Sequence, residues 1–206
     1  MNKTPKATLR RYPVYLKALM KIKEEGKEKI MSSELSSYVG IKSTTIRRDF
    51  SLIGSLGKQG YGYNVDELIK IFSNELGVNY DEKIILVGAG NLGKALLNYN
   101  KWPNVVGEIV CAFDVNPEEC KAKACVPVYD IRDLKEKLPE GCRIALLCIS
   151  EHHVQETVYQ LAEAGIRGIV DFTHVHYNVP EGVIIRHADV VSTIQEIVFE
   201  TNSENR

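Results

Sequence analysis

The run Val87-Gly88-Ala89-Gly90-Asn91-Leu92-Gly93 has the G-x-G-x-x-G spacing, directly after the apolar stretch Ile84–Val87. Asp114 follows 21 residues beyond the last glycine, at the end of a second apolar stretch. That arrangement suits the pyrophosphate and ribose of a dinucleotide. Gly88 allows a tight turn, Gly90 lets the backbone approach phosphate, and Gly93 lets the next helix pack closely on its strand. Ala89, Asn91 and Leu92 complete the loop, whose free N–H groups and positive helix end favour an anion. A carboxylate at 114 accepts ribose hydroxyls and repels a 2′-phosphate. Val115-Asn116-Pro117 supplies no Arg for such a phosphate, so NADH/NAD+ is favoured over the phosphorylated form.

A second group of residues has a different chemistry. Ser43, Thr44, Thr45, Arg47 and Arg48 gather at the start of a short amphipathic stretch whose Ile46, Phe50 and Ile53 repeat at i, i+4 and i+7. With those three turned inward, the polar residues face solvent, where a recognition helix meets bases and phosphates in a major groove. Lys58, in a Gly-punctuated stretch of 57–63, is placed to reach a phosphate or the minor groove as part of a wing. Residues 1–63 carry a net +8 while the remainder carries −9, as expected if the first part faces a polyanion.

The elements that position these groups fall into two patterns. A helix is expected from Arg11 or Tyr12 to Ile22, with Pro13 in its first turn and Gly26 beyond its end. A short helix from Ser32 or Ser33 to Val39, capped by that serine, ends at Gly40. Ser43 then caps a helix over 44–53. This helix–turn–helix is followed by the Gly-rich hairpin and by a helix over 65–76, with Gly77–Glu82 as linker. From Lys83 onward short apolar runs alternate with helical periods, the sign of βαβ units. Strands are expected at 84–87, 108–113, 143–149 and 168–172, with an edge strand at 183–186. Helices are expected at 92–99, 131–138 and 154–164. The fold class is therefore α/β: an N-terminal winged helix-turn-helix, a Rossmann-like doubly wound parallel sheet and a C-terminal helix. The divisions are 1–79, 80–188 and 189–206.

A hydrophobic content of 44% supports a packed core in 206 residues. No apolar run approaches the ~18–20 residues of a membrane span, and no apolar signal core follows the basic N-terminus, so the cytoplasm is the default location. The five cysteines form no Cys-x-x-Cys pair, and they indicate neither a disulfide framework nor zinc.

Three ordered strings extend the reading beyond chemistry: Arg10-Arg11-Tyr12-Pro13, Thr45-Ile46-Arg47-Arg48-Asp49-Phe50 and Leu56-Gly57-Lys58-Gln59-Gly60-Tyr61-Gly62-Tyr63. Together with the glycine loop and its continuation through Tyr99, they resemble the bacterial redox-sensing transcriptional repressors of the Rex family, from Leu9 to Phe199. The resemblance implies a repressor, not an enzyme, that binds palindromic double-stranded operator DNA and is released by NADH. It implies a homodimer in which the C-terminal helix, with its stripe Val190 to Val198, is swapped into the partner and packs between that subunit's domains. It also implies cofactor contacts from Tyr99, Ser150 and Phe199, and DNA contact from Arg10. Arg11, Tyr99 and Asp189 match family positions that transmit the redox state, and by their chemistry Arg11 and Asp189 suit an ion pair. The loops Ser150-Glu151-His152-His153 and Asp171 to His176 depart from the family's small or apolar residues beside the nicotinamide half of the site.

Two alternatives compete with this reading. An NAD-dependent oxidoreductase with a helical N-terminal extension needs a substrate domain, and the 124 residues from Lys83 leave almost none. It also needs a proton-moving group, for which only His153 and His174 offer themselves, with no metal-ligand cluster beside them. A sugar-phosphate-responsive repressor shares an Ile-Arg-Arg-Asp string, but the glycine loop argues against it.

Overall fold

The computed structural model describes residues 4–54, 56, 61–78, 81–100, 106–121 and 125–203. The chain divides into two compact units, 1–79 and 80–206.

In the first unit α1 (Lys6–Leu9), α2 (Tyr12–Glu24), α3 (Ser32–Val39), α4 (Ser43–Ile53) and α5 (Val65–Leu76) surround one core. Strands β1 (Lys29–Ile30) and β2 (Tyr63–Asn64) pair antiparallel beside it. The apolar stripes of α2, α4 and α5 converge on an aromatic cluster. Phe50 lies 5.3 Å from Phe72 and 5.0 Å from Tyr63, and Tyr15 meets Phe50 edge-on at 5.5 Å. Such contacts add specificity to the area they bury. Pro13 sits in the first turn of α2, as its fixed φ favours.

Two expected caps are not formed. Met31 occupies the N-cap of α3, and the hydroxyl of Ser32 instead accepts a hydrogen bond from Arg47 at 3.1 Å. Lys42 occupies the N-cap of α4, so Ser43 is the first helical residue, one position too far along to cap. In this unit a side-chain cap forms on α5, where Asn64 Oδ1 accepts the Glu67 N–H at 2.9 Å. The expected wing falls mainly on residues 57–60, including Lys58, which lie outside the described residues. Its returning strand, β2, is the part observed.

In the second unit, β3 (Glu82–Val87), β4 (Gly107–Asp114), β5 (Val128–Asp130), β6 (Ile144–Leu147), β7 (Gly168–Asp171) and β8 (Ile184–His187) form one parallel sheet in the order β5-β4-β3-β6-β7-β8. Helices α6 (Asn91–Asn98), α7 (Pro117–Lys121), α8 (Leu134–Lys137) and α9 (Val154–Glu163) join the strands. Where one helix was expected over 131–138, a 3₁₀ turn at Ile131–Asp133 precedes α8. Its first turn is tied back by the Asp130 carboxylate, which accepts the Arg132 N–H.

Both sheet faces are covered. Ile85 and Val87 join one apolar cluster, while Ile84 and Leu86 join the other. The pairing register of β3 with β4 shifts between Ile84 and Ile85, skipping Val110. This irregularity lets Ile109 and Ala112 enter one cluster while Cys111 and Phe113 enter the other. The last helix, α10 (Val190–Ser203), leaves Val190, Val191, Ile194, Ile197 and Val198 each more than half exposed.

Candidate cofactor cleft and nucleic-acid interface

The sheet changes direction of travel between β3 and β6, the switch point where doubly wound folds hold ligands. A cavity of about 380 Å³ opens there, lined by Gly88, Gly90, Phe113, Asp114, Cys148 and Ser150 among others. Gly88 takes a φ of +93°, and a Cβ on it would lie 2.3 Å from the Cys148 carbonyl oxygen. A Cβ on Gly93 would lie 2.1 Å from the carbonyl oxygen of Gly88. Only glycine fits at either place. At Gly90 a Cβ would point into open space, so the missing side chain leaves room beside the loop.

Asp114 closes the other side. Its Oδ2 accepts the Ala89 N–H at 2.7 Å, and its Oδ1 accepts the Asn116 N–H at 2.8 Å. The carboxylate is thereby aimed, with further lone pairs available to ribose hydroxyls. Arg132 lines the same cavity but is committed to Asp130, with Nε 2.9 Å from Oδ1. Hydrogen bonds from the Arg132 side chain and backbone hold the Asp130 carboxyl at about 2. These features fit an adenosine dinucleotide without a 2′-phosphate.

Of the other cofactor positions expected from sequence, Ser150 lines this cavity, whereas Tyr99 and Phe199 do not. Tyr99 is the exposed C-cap of α6, and Phe199 is 74% exposed on α10. His153 lines the cavity, but His174 and His176 do not, so the two His-rich loops part company. Sequence reasoning missed Phe113, Ile131, Cys148, Thr157 and Gln160 in the lining. The first three follow from ending β4, β5 and β6 at the same sheet edge, but Thr157 and Gln160 come from α9 and left no local signal. Burial, helped by the charge of Asp171, pushes the Cys148 thiol up to about 12, so it stays protonated at neutral pH.

The first unit presents the second group. Thr44, Arg47 and Arg48 are exposed on α4, Ser43 and Thr45 are half-buried, and Arg10 is exposed between α1 and α2. One residue beyond Arg48, Asp49 is buried at 1% exposure. Arg11 donates to both of its oxygens, Nε to Oδ2 and Nη2 to Oδ1, each at 2.6 Å. Tyr15 donates to Oδ2 at 2.6 Å and Thr8 to Oδ1 at 3.2 Å. Burial opposes the charge on Asp49, yet the hydrogen bonds from Arg11 and Tyr15 prevail and hold its carboxyl below the usual range. The side-chain hydrogen bond to Asp49 outweighs desolvation at Arg11 and raises its pKa further. No spacing along the sequence marks this anchor. Within its own unit Arg11 pairs with Asp49, and within the other Asp189 accepts the Ser192 N–H at the start of α10.

Comparison with known proteins decides between the alternatives. Two family models match, one described as a putative DNA-binding protein N-terminus over residues 3–51 and one as a CoA binding domain over residues 79–175. A redox-sensing transcriptional repressor Rex from Lactobacillus acidophilus is 42% identical over 205 residues, spanning 98% of this chain and 97% of its own. The chain belongs to the Rex family. A Rex repressor from Listeria monocytogenes is 40% identical over 96% of this chain and 93% of its own. Among solved structures, the Rex-family repressor RSP in complex with β-NAD+ and operator DNA matches with a TM-score of 0.85 at 30% identity. That match covers all of this chain and 95% of RSP. RSP in complex with β-NADH matches at 0.84 and 29% identity, over all of this chain and 97% of RSP.

Proposed function

We propose that this Rex-family chain is a redox-sensing transcriptional repressor that binds palindromic operator DNA and lets go of it on taking up NADH. The observation that carries this reading is the joining, in one chain, of an Asp114-lined dinucleotide cleft to an exposed Arg47/Arg48 helix face. The full-length relatives are named repressors, and RSP accommodates both NAD+ and operator. These names favour a repressor over the oxidoreductase alternative.

In this reading the Gly88–Gly93 loop cradles the pyrophosphate, Asp114 accepts the adenosine ribose hydroxyls, and Ser150 borders the bound nucleotide. Bound dinucleotide supplies the redox signal, as NADH or NAD+. Arg47 and Arg48 read base edges or phosphates, while Arg10, Thr44, Thr45, Ser43 and Lys58 hold the backbone. Two copies are needed, because a palindrome presents two half-sites about one helical turn apart. The exposed apolar stripe Val190, Ile194, Ile197 and Val198 is the surface each copy lends to the other as a swapped helix. Phe199 and Tyr99 reach the nicotinamide only in that dimer. Arg11, Tyr99 and Asp189 relay the change, which requires Arg11 to leave or share Asp49. The reading places the protein in the cytoplasm, and no described helix is long and apolar enough to cross a membrane.

The test is a gel-shift on a palindromic duplex that the protein itself selects from a random pool, with NADH and NAD+ added separately. Release by NADH alone is the expected result. Retention with both, or turnover of an alcohol or hydroxy acid, rejects the reading.

A further inference from the structure

Asp171 ends β7 with its carboxylate almost fully buried. Oδ1 accepts the Thr173 N–H at 2.8 Å, and Oδ2 accepts the Tyr177 hydroxyl at 2.9 Å. His187, the last residue of β8, brings Nδ1 to 3.0 Å from the same Oδ2. The backbone carbonyl of Asp171 also accepts the Ala188 N–H at 2.8 Å. Two residues beyond His187, Asp189 begins α10 by accepting both the N–H and the hydroxyl of Ser192. Its Oδ1 lies 3.4 Å from Nδ1 of His174, which belongs to the loop after β7.

Two imidazole–carboxylate pairs therefore cross this junction in opposite senses. In one, the loop side gives the carboxylate and the helix root the imidazole. In the other the roles are exchanged. His174 holds a φ of +57°, and among the described residues no other non-glycine has a positive φ. Backbone in that region persists where its surroundings over-determine it. The far end of the same loop is held as firmly. Gln155 of α9 donates to the Asn178 carbonyl at 3.0 Å and accepts the Asn178 N–H at 2.9 Å. On the inner side the junction abuts β6, where Cys148 lines the cofactor cleft and feels the charge of Asp171. The helix root is thus connected, residue by residue, to a wall of the cleft.

We propose that the crossed pairs His187–Asp171 and His174–Asp189 form the joint that sets how α10 leaves the sheet, and that His174 and His187 are positioning residues through which protons tune the operator response. This rests on the reading above, in which α10 carries the signal between subunits. The sign follows from the neighbours. The groups facing the two imidazoles are Asp171 from β7, Tyr177 from the loop and Asp189 from the cap of α10. The Cys148 thiol stands behind Asp171, and Arg186 turns its guanidinium to the Ile185 carbonyl. Hydrogen bonds from Ser192 keep Asp189 ionised below the usual carboxylate range. Tyr177 is neutral near pH 7, since burial and its bond to Asp171 push its hydroxyl up. The faces are thus anionic, and protonating an imidazole turns each contact into an ion pair. A proton on either imidazole therefore tightens the joint, and its loss loosens it.

The test uses the full-length protein and its selected operator at pH 6 and pH 8, with wild type compared against the double variant His174→Gln/His187→Gln. Both side chains are about half exposed, so neither substitution opens the core. Unchanged operator affinity without NADH at pH 8 serves as the folding check, and His187→Gln alone is carried through the same measurements should the double variant fail it. In wild type, amide exchange in the first turn of α10, corrected for intrinsic rates, slows at pH 6. The NADH concentration for half-release moves by roughly three- to tenfold between the two pH values, the scale two partly exposed ion pairs supply. In the variant both pH dependences flatten. An unaltered exchange profile, or a release profile that shifts with pH as in wild type, overturns the proposal. Wild type that ignores NADH at both pH values overturns the underlying reading instead.

Discussion

Replacing Asp49 should damage the DNA-reading unit more than its position on a helix implies. The carboxylate is 1% exposed and takes four hydrogen bonds, two of them from Arg11, whose side chain is 28% exposed. Breaking a buried pair by removing one partner costs about 3–5 kcal/mol, because the other charge stays behind without compensation. Arg11 is partly wetted and recovers some of that loss, but the Tyr15 hydroxyl does not, and an unsatisfied buried hydroxyl costs about 1–3 kcal/mol. The balance for Asp49→Ala is a loss of about 3 kcal/mol in the unfolding of residues 1–79, or on the order of 15 °C in its Tm. Asp49→Asn keeps the shape and one acceptor, so it should cost less.

The assay is thermal and denaturant unfolding of both variants, of Arg11→Met and of the double variant Asp49→Asn/Arg11→Met. The account requires a coupling energy above about 1 kcal/mol between positions 11 and 49. Because the folded Asp49 carboxyl is held below its usual range, its contribution is complete above the unfolded carboxylate value near 3.9. It is lost as pH falls through the lower folded value, so wild type and Asp49→Asn should converge only in acid. Strictly additive single effects, or a difference that vanishes already at pH 6, would refute the reasoning.

Other consequences can be checked together. Asp114→Ala should weaken NADH about 10- to 100-fold by calorimetry, the value of hydrogen bonds to a charged acceptor, and leave operator binding without NADH intact. Arg47→Ala should lower operator affinity by about 1–3 kcal/mol if it reads a base, and should instead reduce the salt slope by about one if it holds phosphate. Gly93→Ala should cost about 1–3 kcal/mol of stability in the second unit and abolish tight NADH binding, since its Cβ would fall 2.1 Å from a backbone oxygen.

What was legible in the chain follows the reach of each signal. The glycine loop, its flanking strand and Asp114 could be read because a turn, a close approach and an acid at fixed spacing leave local marks. The parallel sheet could be read from alternation of apolar runs with helical periods. Strand β5 and helix α7 escaped because three and five residues are too short to show a period. The two serine caps failed for different reasons: Ser32 spends its hydroxyl on Arg47, fifteen positions away, whereas Ser43 falls one residue inside a helix that Lys42 begins. Nothing in the spacing along α4 separates Asp49 from Arg47 and Arg48. Its burial depends on Arg11, Tyr15 and Thr8, brought from two other helices, and no window along α4 contains them. The crossed histidine pairs were invisible for the same reason, being joined across β7, β8 and the segment between.

In the proposed function, cofactor and operator compete through one chain. Its most direct test is calorimetric titration of NADH into the free protein and into the protein saturated with its selected operator. Linkage requires operator to weaken NADH by the same factor that NADH weakens operator, with NAD+ affected far less. Equal NADH affinity in the two titrations would contradict the account.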